Sequence, residues 1–258
     1  MEGMPSRLID VHNHPKTGSD GSDLIALMDA ANIEMTVIMA TMHCSNDTML
    51  AACQRHPGRL IGGVYADPRE GTNAIETVRR YHAQGVRIVK LFPNIGYFPD
   101  DPALHGFFDA VADLGMLVLS HCGWLGGSGK GMNREDWAAY YATPGRFEKV
   151  LRRHPETPFI FAHMGGITGL LESVMLTTRA PNAYVDCSPG QGLWALRAGG
   201  AITASVPPEK LIWGADSYSQ QDNLDQTIPA LTALGFVPHF EKIFYSNARG
   251  LLQRVGAI

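Results

Sequence analysis

Short runs of apolar and β-branched residues alternate along the chain with longer segments whose apolar residues recur every three to four positions. The first pattern is typical of buried parallel strands, and the second is typical of the amphipathic helices that cover them. The helical segments include NAIETVRRYHAQG and LHGFFDAVADLG, which end at glycine as helices often do. Eight strands are predicted in this way, at residues 7–12, 35–41, 60–67, 86–92, 116–121, 159–163, 183–187 and 211–216.

This alternation predicts an α/β fold, a single (β/α)8 TIM barrel over residues 1–258. Such a barrel typically needs roughly 250 residues, which matches the 258 residues of the chain. An open doubly wound sheet is the alternative, but it usually has fewer strands. The longest segment without clear periodicity is the glycine-rich stretch 122–145 after the fifth strand. We therefore expect a distorted barrel with an extended loop there, which we interpret as a cover over the substrate.

Composition narrows the possible partners. The net charge is −4 with no cluster of Lys or Arg, so a nucleic-acid partner is not expected. No segment approaches the ~20 uninterrupted apolar residues of a membrane span, and the N-terminus does not resemble a signal peptide. Four scattered cysteines without a CxxC pair fit reduced thiols. We expect a cytoplasmic protein that acts on a small molecule, and a homo-oligomer remains open.

Polar residues gather at the ends of the predicted strands. Because barrel active sites lie at the carboxyl ends of the strands, we expect these side chains to meet. One histidine at a strand end is more often structural, but five such endings favour a common site. The five segments are LIDVHNH, VRIVKLF, LVLSHCG, FIFAHMG and LIWGADS.

His12 and His14 lie two residues apart. On an extended strand their rings point to the same side, and two imidazoles on one face can chelate a divalent ion. A third histidine and a carboxylate complete a site that leaves a position for water. Alone, this pair is equally compatible with a polar turn.

Taken together, these motifs resemble the amidohydrolase superfamily, and specifically its amidohydrolase-related branch, which includes decarboxylases and lactonases. The resemblance covers almost the whole chain in the family's order. It rests on DVHNH at 10–14, GVRIVKLFP at 85–93, LSHCG at 119–123, FAHMGG at 161–166, WGADS at 213–217 and YSNARGLL at 245–252.

The resemblance implies roles for particular residues. His12, His14 and His121 are similar to the family's histidine ligands, and Asp216 is similar to the strand-eight carboxylate that binds metal and accepts a proton from water. His163 is similar to a strand-six histidine that is catalytic, because it polarises the substrate, or that binds a second metal.

Lys90 decides the number of ions. In two-metal relatives a strand-four lysine is carboxylated and bridges the ions, whereas many one-metal relatives do not use it so. We expect one divalent ion, most simply zinc, and a second only if Lys90 is carboxylated with His163 as a further ligand. The sequence departs from the family's commoner motifs at two places: Phe92 stands where KLHP has histidine, and GADSY replaces GSDxP. Because of these departures, the resemblance does not define the substrate pocket.

Several other polar residues have two interpretations. Asp10 either orients His12 or is structural, and Asp186 either faces the site or is structural. Among the remaining histidines, His43 is the best candidate for a functional role. In the loop after strand five, Trp124, Lys130 and Arg134 are predicted to bind substrate, the two cations through a carboxylate.

Three functions compete. The first is a metal-dependent hydrolase that uses an activated water on an amide, lactone or ester of a small carboxylated molecule. The second is a metal-dependent, non-oxidative decarboxylase on the same scaffold. The third is a binding protein that keeps the barrel and the metal without catalysis. Intact ligand types on every expected strand favour an enzyme.

Overall fold

A parallel eight-stranded sheet forms the wall of the molecule in the computed structural model, which describes residues 3–124 and 135–258. Neighbouring strands pair in chain order, and every pair is parallel. This topology confirms the predicted (β/α)8 barrel. The strands are β1 (Leu8–Asn13), β2 (Ile33–Met39), β3 (Leu60–Tyr65), β4 (Ile88–Leu91), β5 (Leu117–Ser120), β6 (Phe159–Phe161), β7 (Ala183–Asp186) and β8 (Leu211–Ile212).

Helices connect successive strands and cover the outside of the sheet. Short 3-10 turns and a π-helical turn at Lys242–Ser246 complete the connections within the described residues. The helices are α1 (Ser22–Ala30), α2 (Asn46–Arg55), α3 (Thr72–His82), α4 (His105–Asp113), α5 (Glu148–Arg153), α6 (Gly166–Arg179), α7 (Gln191–Ala198), α8 (Gly200–Ala204), α9 (Gln220–Ala233) and α10 (Asn247–Arg254). None of them is long and apolar enough to cross a membrane in the part of the chain that the structure describes.

All eight predicted strands are present, but most end earlier than their apolar runs suggest. Residues His121, His163 and Asp216 were predicted as the last strand residues and instead follow β5, β6 and β8. His163 and Asp216 adopt positive φ angles of 58° and 44°, which extended strands do not allow. The backbone therefore turns at these two residues, after β6 and β8 have already ended.

The inner face of the barrel is apolar at the bottom and polar at the top. Side chains from all strands but β3 and β7 form a buried inner cluster with Leu251 and Leu252 of α10 and with Val255 directly after it, which close the bottom. Ile88 and Leu119 belong to this cluster, and the strand period of two carries Lys90 and His121 to the same face further up. The site therefore lies directly above a closed apolar core.

Contacts between β1 and the segment after β8 close the barrel. The Val11 amide donates to the Trp213 carbonyl (3.3 Å), and the Asp216 amide donates to the His12 carbonyl (2.5 Å). A side chain at Gly214 would place its Cβ 2.7 Å from the Cβ of His12, so only glycine allows the two segments to meet. This contact brings the two ends of the sequence signature, HNH and GAD, together.

Two glycines set the spacing of the loops that follow β5 and β6. A Cβ at Gly166 would lie 2.7 Å from the Cα of Gly123, and Gly166 has a φ of +72°. Both the close approach and the left-handed backbone require glycine at this position. The glycines of the HCG and HMGG motifs thus keep His121 and His163 next to each other.

We predict that Gly166→Ala lowers the free energy of unfolding by at least about 2 kcal/mol, because it adds a backbone clash to a strained φ. Denaturant unfolding measures this loss. Gly250→Ala is the matched control, since Gly250 lies in α10 with no atom within 4 Å of its added Cβ, and that variant should be neutral or slightly more stable. Equal effects of the two substitutions would contradict the close packing of the two loops.

Candidate metal and active site

Four histidines and one aspartate converge at the top of the barrel. His12 and His14 come from the end of β1, His121 follows β5, His163 follows β6, and Asp216 follows β8. His12 is wholly buried, and His121 and His163 are nearly so. Their placement in one cluster agrees with the expectation that the strand-end residues meet.

His12 reaches the interior through an irregularity in β1. Ile9 and Val11 face the inner cluster, so a regular strand would point Asn13 inward instead of His12. The pairing of β1 with β2 shifts between Asp10 and Asn13. As a result the rings of His12 and His14 lie together, with centroids 5.3 Å apart.

Asp186 holds the ring of His12 from the outside. Its Oδ2 lies 2.8 Å from Nδ1 of His12, and both groups are completely buried. The other carboxylate oxygen accepts from the His163 amide (2.9 Å) and the Ser188 amide (3.0 Å). Asp186 therefore faces the site and fixes the orientation of two histidines, which is the usual role of a carboxylate behind a metal ligand.

Of the two interpretations of Asp10, the structure supports the structural role and not the orientation of the His12 ring. It accepts from the amides of His12 (3.1 Å) and Ala215 (2.8 Å) and from the side chains of Asn13 (3.0 Å) and Gln220 (2.7 Å). These bonds link the main chains of β1 and the segment after β8. Asp10 contacts the backbone of His12, and Asp186 contacts its ring.

The remaining histidines are also held through their outer nitrogens, that is, the ring nitrogens that face away from the centre of the cluster. His14 Nδ1 lies 2.8 Å from the Met39 carbonyl, and His121 Nε2 lies 3.0 Å from the Trp124 carbonyl. A carbonyl only accepts, so both nitrogens carry a proton. Ser188 Oγ donates to Asp186 (2.5 Å) and thus accepts from Nδ1 of His163 (2.8 Å).

These bonds assign the tautomers and turn unprotonated nitrogens toward the centre. His14 Nε2 lies 3.2 Å from Oδ1 of Asp216. His163 Nε2 lies 3.2 Å from Nδ1 of His121. Each pair brings two electron-pair acceptors together, which is unfavourable unless a proton or a cation lies between them. The donor set therefore fits a divalent cation, and imidazole with carboxylate suits zinc and similar ions.

Within the described residues, one group has its ligand atoms within 4.8 Å of one another, namely His12, His163 and Asp216. His14 and His121 adjoin this group at the distances given above. The geometry thus places His163 among the candidate ligands and His121 outside the group, although the resemblance gave His163 a catalytic role first. The ligand roles themselves remain predictions.

Lys90 lies inside the cluster and is completely buried. Its Nζ is 2.9 Å from Nε2 of His12 and 4.8 Å from the centre of the Phe92 ring. Burial lowers the pKa of Lys90 to about 8, although Asp216 and Asp186 oppose this shift. The amine is close enough to serve a second ion if it is carboxylated, and otherwise it supplies a positive charge beside His12.

Burial favours the neutral form of His12, His121 and His163. It lowers the pKa of His12 to about 4, with help from Lys90, and it lowers the pKa values of His121 and His163 as well. Burial alone would raise the pKa of Asp216, but the adjacent histidines outweigh it and hold that pKa well below its usual range. At neutral pH the cluster therefore offers neutral imidazoles and one ionised carboxylate.

A cleft of about 580 Å³ opens beside the cluster. His121, His163 and Asp216 form its polar end, while Trp124 and Trp194 are both largely exposed at its wall. Trp124 was predicted to bind substrate, and its place in the cleft agrees with that expectation. Lys130 and Arg134 lie outside the described residues, so their substrate role remains a prediction.

His43 lies away from the cluster. It lines a separate cleft of about 320 Å³ together with Tyr65, Asp67 and Arg69. The Arg69 guanidinium is paired there with Asp67 at 2.7 Å.

Sequence reasoning missed three residues of the site, namely Ser188, Gln191 and Trp194. Ser188 joins Asp186 to His163, and the Gln191 amide is bonded to both the amide and the carbonyl of Trp124 (2.9 and 2.7 Å). Their signal was the segment DCSPGQGLW, in which polar and turn residues follow β7 as they follow the other strands. It contains no histidine, which is why it did not stand out.

We predict that the metal-free protein loses stability in acid because of His12. The pKa of His12 is about 4 in the folded state and about 6.5 when unfolded, so the unfolded chain binds more protons between these values. Stability then falls as the pH drops through that window. Urea unfolding with a chelator at pH 7 and 4.5 should show a loss about 2 kcal/mol larger for wild type than for His12→Asn.

The comparison between the two proteins cancels other titrating groups. Asp10 is one of them, since burial raises its pKa to about 6 and acts in the opposite direction. Equal acid sensitivity of wild type and variant would contradict a neutral, buried His12.

The fold has many solved counterparts. An uncharacterized TIM-barrel protein from Bordetella bronchiseptica is 19% identical with a TM-score of 0.71, and the match covers 97% of this chain and 99% of that one. A 2,6-dihydroxybenzoate decarboxylase in complex with 2,6-dihydroxybenzoate is 17% identical with a TM-score of 0.67 (96% and 100% covered). A 4-oxalomesaconate hydratase from Rhodopseudomonas palustris is 15% identical with a TM-score of 0.65 (97% of each chain).

These identities are low, and the likeness establishes the fold alone. No curated protein matches the sequence. The family model described as Amidohydrolase matches residues 9–254, which is nearly the whole chain and includes every residue of the cluster. The chain therefore belongs to the amidohydrolase family.

Proposed function

We propose that this protein is a divalent-metal-dependent hydrolase that cleaves an amide, lactone or ester. One observation carries the proposal: the Nε2 atoms of His12, His14 and His163 lie 3.2 to 3.8 Å from the carboxylate oxygens of Asp216, while the other ring nitrogens are bonded to groups outside the cluster. Such a set of neutral donors around one anion is suited to a cation. Family membership supports the same general chemistry.

His12, His14 and Asp216 would hold the ion, together with His121 or His163. A bound divalent ion polarises a carbonyl group and lowers the pKa of water from 15.7 to about 7. We favour zinc because imidazole and carboxylate are typical zinc ligands. We favour one ion because a second ion would require Lys90 to be carboxylated and to serve as the bridging ligand.

Asp216 is placed to move a proton. Its Oδ1 faces His14, and its Oδ2 lies 3.8 Å from Nε2 of His163. Because its pKa is low, Asp216 is ionised and can accept a proton from an attacking water. Asp216 lines the cleft, whose volume of about 580 Å³ has room for water and a small substrate.

His163 completes the proposed chemistry. With Nδ1 donating to Ser188, its Nε2 has no proton in the neutral ring. His163 can therefore hold the ion or accept a proton, and it can donate to an oxyanion only after it has been protonated. This supports a role as ligand or proton carrier at the Asp216 carboxylate.

Decarboxylation is the second candidate, and the character of the cleft wall favours it. Ile167, Pro189 and the two indoles make the wall apolar. An apolar wall disfavours a charged carboxylate more than the neutral carbon dioxide that leaves, because burial of an unpaired charge is costly. The same residues would hold the ion and move the proton in either reaction.

The carboxylated character of the substrate remains a prediction. It depends on Lys130 and Arg134, which lie outside the described residues.

We predict that the purified, metal-replete protein holds about one equivalent of zinc or a similar ion. Elemental analysis measures this, and His12→Ala and Asp216→Ala should each lower the content strongly because they remove central donors. His43→Ala is the control, since its ring lies away from the cluster. Full metal content in all three variants would place the ion elsewhere, and two equivalents in wild type would indicate a bridging Lys90.

We predict that the metal-replete protein hydrolyses members of a panel of lactones, aryl esters and N-acyl amino acids, and that Asp216→Asn lowers kcat at least 100-fold through loss of the proton acceptor. Proton release detects hydrolysis of the lactones and esters, the appearance of a free amine detects hydrolysis of the N-acyl amino acids, and carbon dioxide release from aromatic and enoic acids detects decarboxylation. Asp222→Asn, an exposed change on α9, should leave the rate unaltered. Carbon dioxide release without any hydrolysis would replace the first candidate by the second.

A further inference from the structure

The cleft beside the histidine cluster is polar at one end only. Its polar end consists of His121, His163 and Asp216, and its wall includes Trp124, Trp194, Ile167 and Pro189. Large aromatic side chains usually bury most of their area in folded proteins. Here the two indoles stay 65% and 62% exposed, and both line the same cleft.

The main chain under both indoles is fixed. Gln191 is the first residue of α7, and its side-chain amide receives the Trp124 amide at 2.9 Å and donates to the Trp124 carbonyl at 2.7 Å. The same carbonyl accepts from Nε2 of His121. Trp194 lies one helical turn after Gln191 on α7. The indoles are thus attached to positions that the site itself holds in place.

We infer that Trp124 and Trp194 bind an apolar body of the substrate, whose polar reacting group lies at the histidine cluster. The substrate class is then an amphipathic acyl compound, such as an aryl or bulky alkyl ester, lactone or amide. The inference rests on the proposed function, since the cluster must hold the reacting group. Trp194 becomes a specificity-determining residue that contacts substrate and takes no part in the chemistry.

Hydroxamates provide a direct test, because a hydroxamate chelates a divalent ion and can carry either a small or a large apolar body. Calorimetric titration of the zinc-loaded protein compares acetohydroxamate with benzohydroxamate. We expect the benzo compound to bind at least tenfold more tightly. Trp194→Ala should weaken the binding of benzohydroxamate about tenfold and leave the affinity for acetohydroxamate unchanged. Trp194→Phe should retain most of the higher affinity for benzohydroxamate.

Leu171→Ala is the matched control, since Leu171 is a similarly exposed apolar residue (60%) on α6 that does not line the cleft. It should alter neither affinity. Equal binding of both hydroxamates, unaffected by Trp194→Ala, would overturn the inference and leave the metal site standing. Absence of binding by either compound would overturn the metal site and the inference with it. Dissociation of an oligomer by Trp194→Ala, with unchanged affinities, would make the indole a subunit contact and also overturn the inference.

Discussion

The site depends on the contact that closes the barrel between β1 and the segment after β8. His12 and Asp216 are separated by almost the whole chain, and one main-chain hydrogen bond between them (2.5 Å) sets the distance between their side chains. Gly214 permits this approach because any side chain would meet His12. Asp10 reinforces this contact because its carboxylate accepts hydrogen bonds from backbone amides of both segments. Closure of the sheet and assembly of the site are therefore the same structural event.

A second layer of hydrogen bonds determines what the site can bind. Asp186, Ser188 and two backbone carbonyls occupy the outer nitrogens of the four histidines. Burial favours the neutral rings of His12, His121 and His163, whose free electron pairs then face one another and the Asp216 carboxylate. In an apolar interior such an arrangement is costly without a positive charge at its centre. The residues behind the histidines thus support the proposed cation site.

The cleft adds an asymmetry that the metal chemistry does not need. One end consists of imidazoles and a carboxylate, while the wall presents two indoles and an aliphatic side chain. Gln191 connects the two parts, because the carbonyl it holds is also the acceptor for His121. The position of Trp124 and the tautomer of His121 therefore depend on the same loop.

The sequence alone determined the fold class, the number of strands and the membership of the cluster, because strand and helix periodicity and the polar residue at each strand end are local signals. It could not place Asp186 or Asp10, since either carboxylate could have faced His12. It also missed Ser188 and Trp194, whose roles depend on neighbours distant in the chain. Only the tertiary structure decided which nitrogen of each histidine is free, because that depends on acceptors supplied by other strands. Periodicity reports burial along one element, whereas the direction of a lone pair is set by contacts between elements.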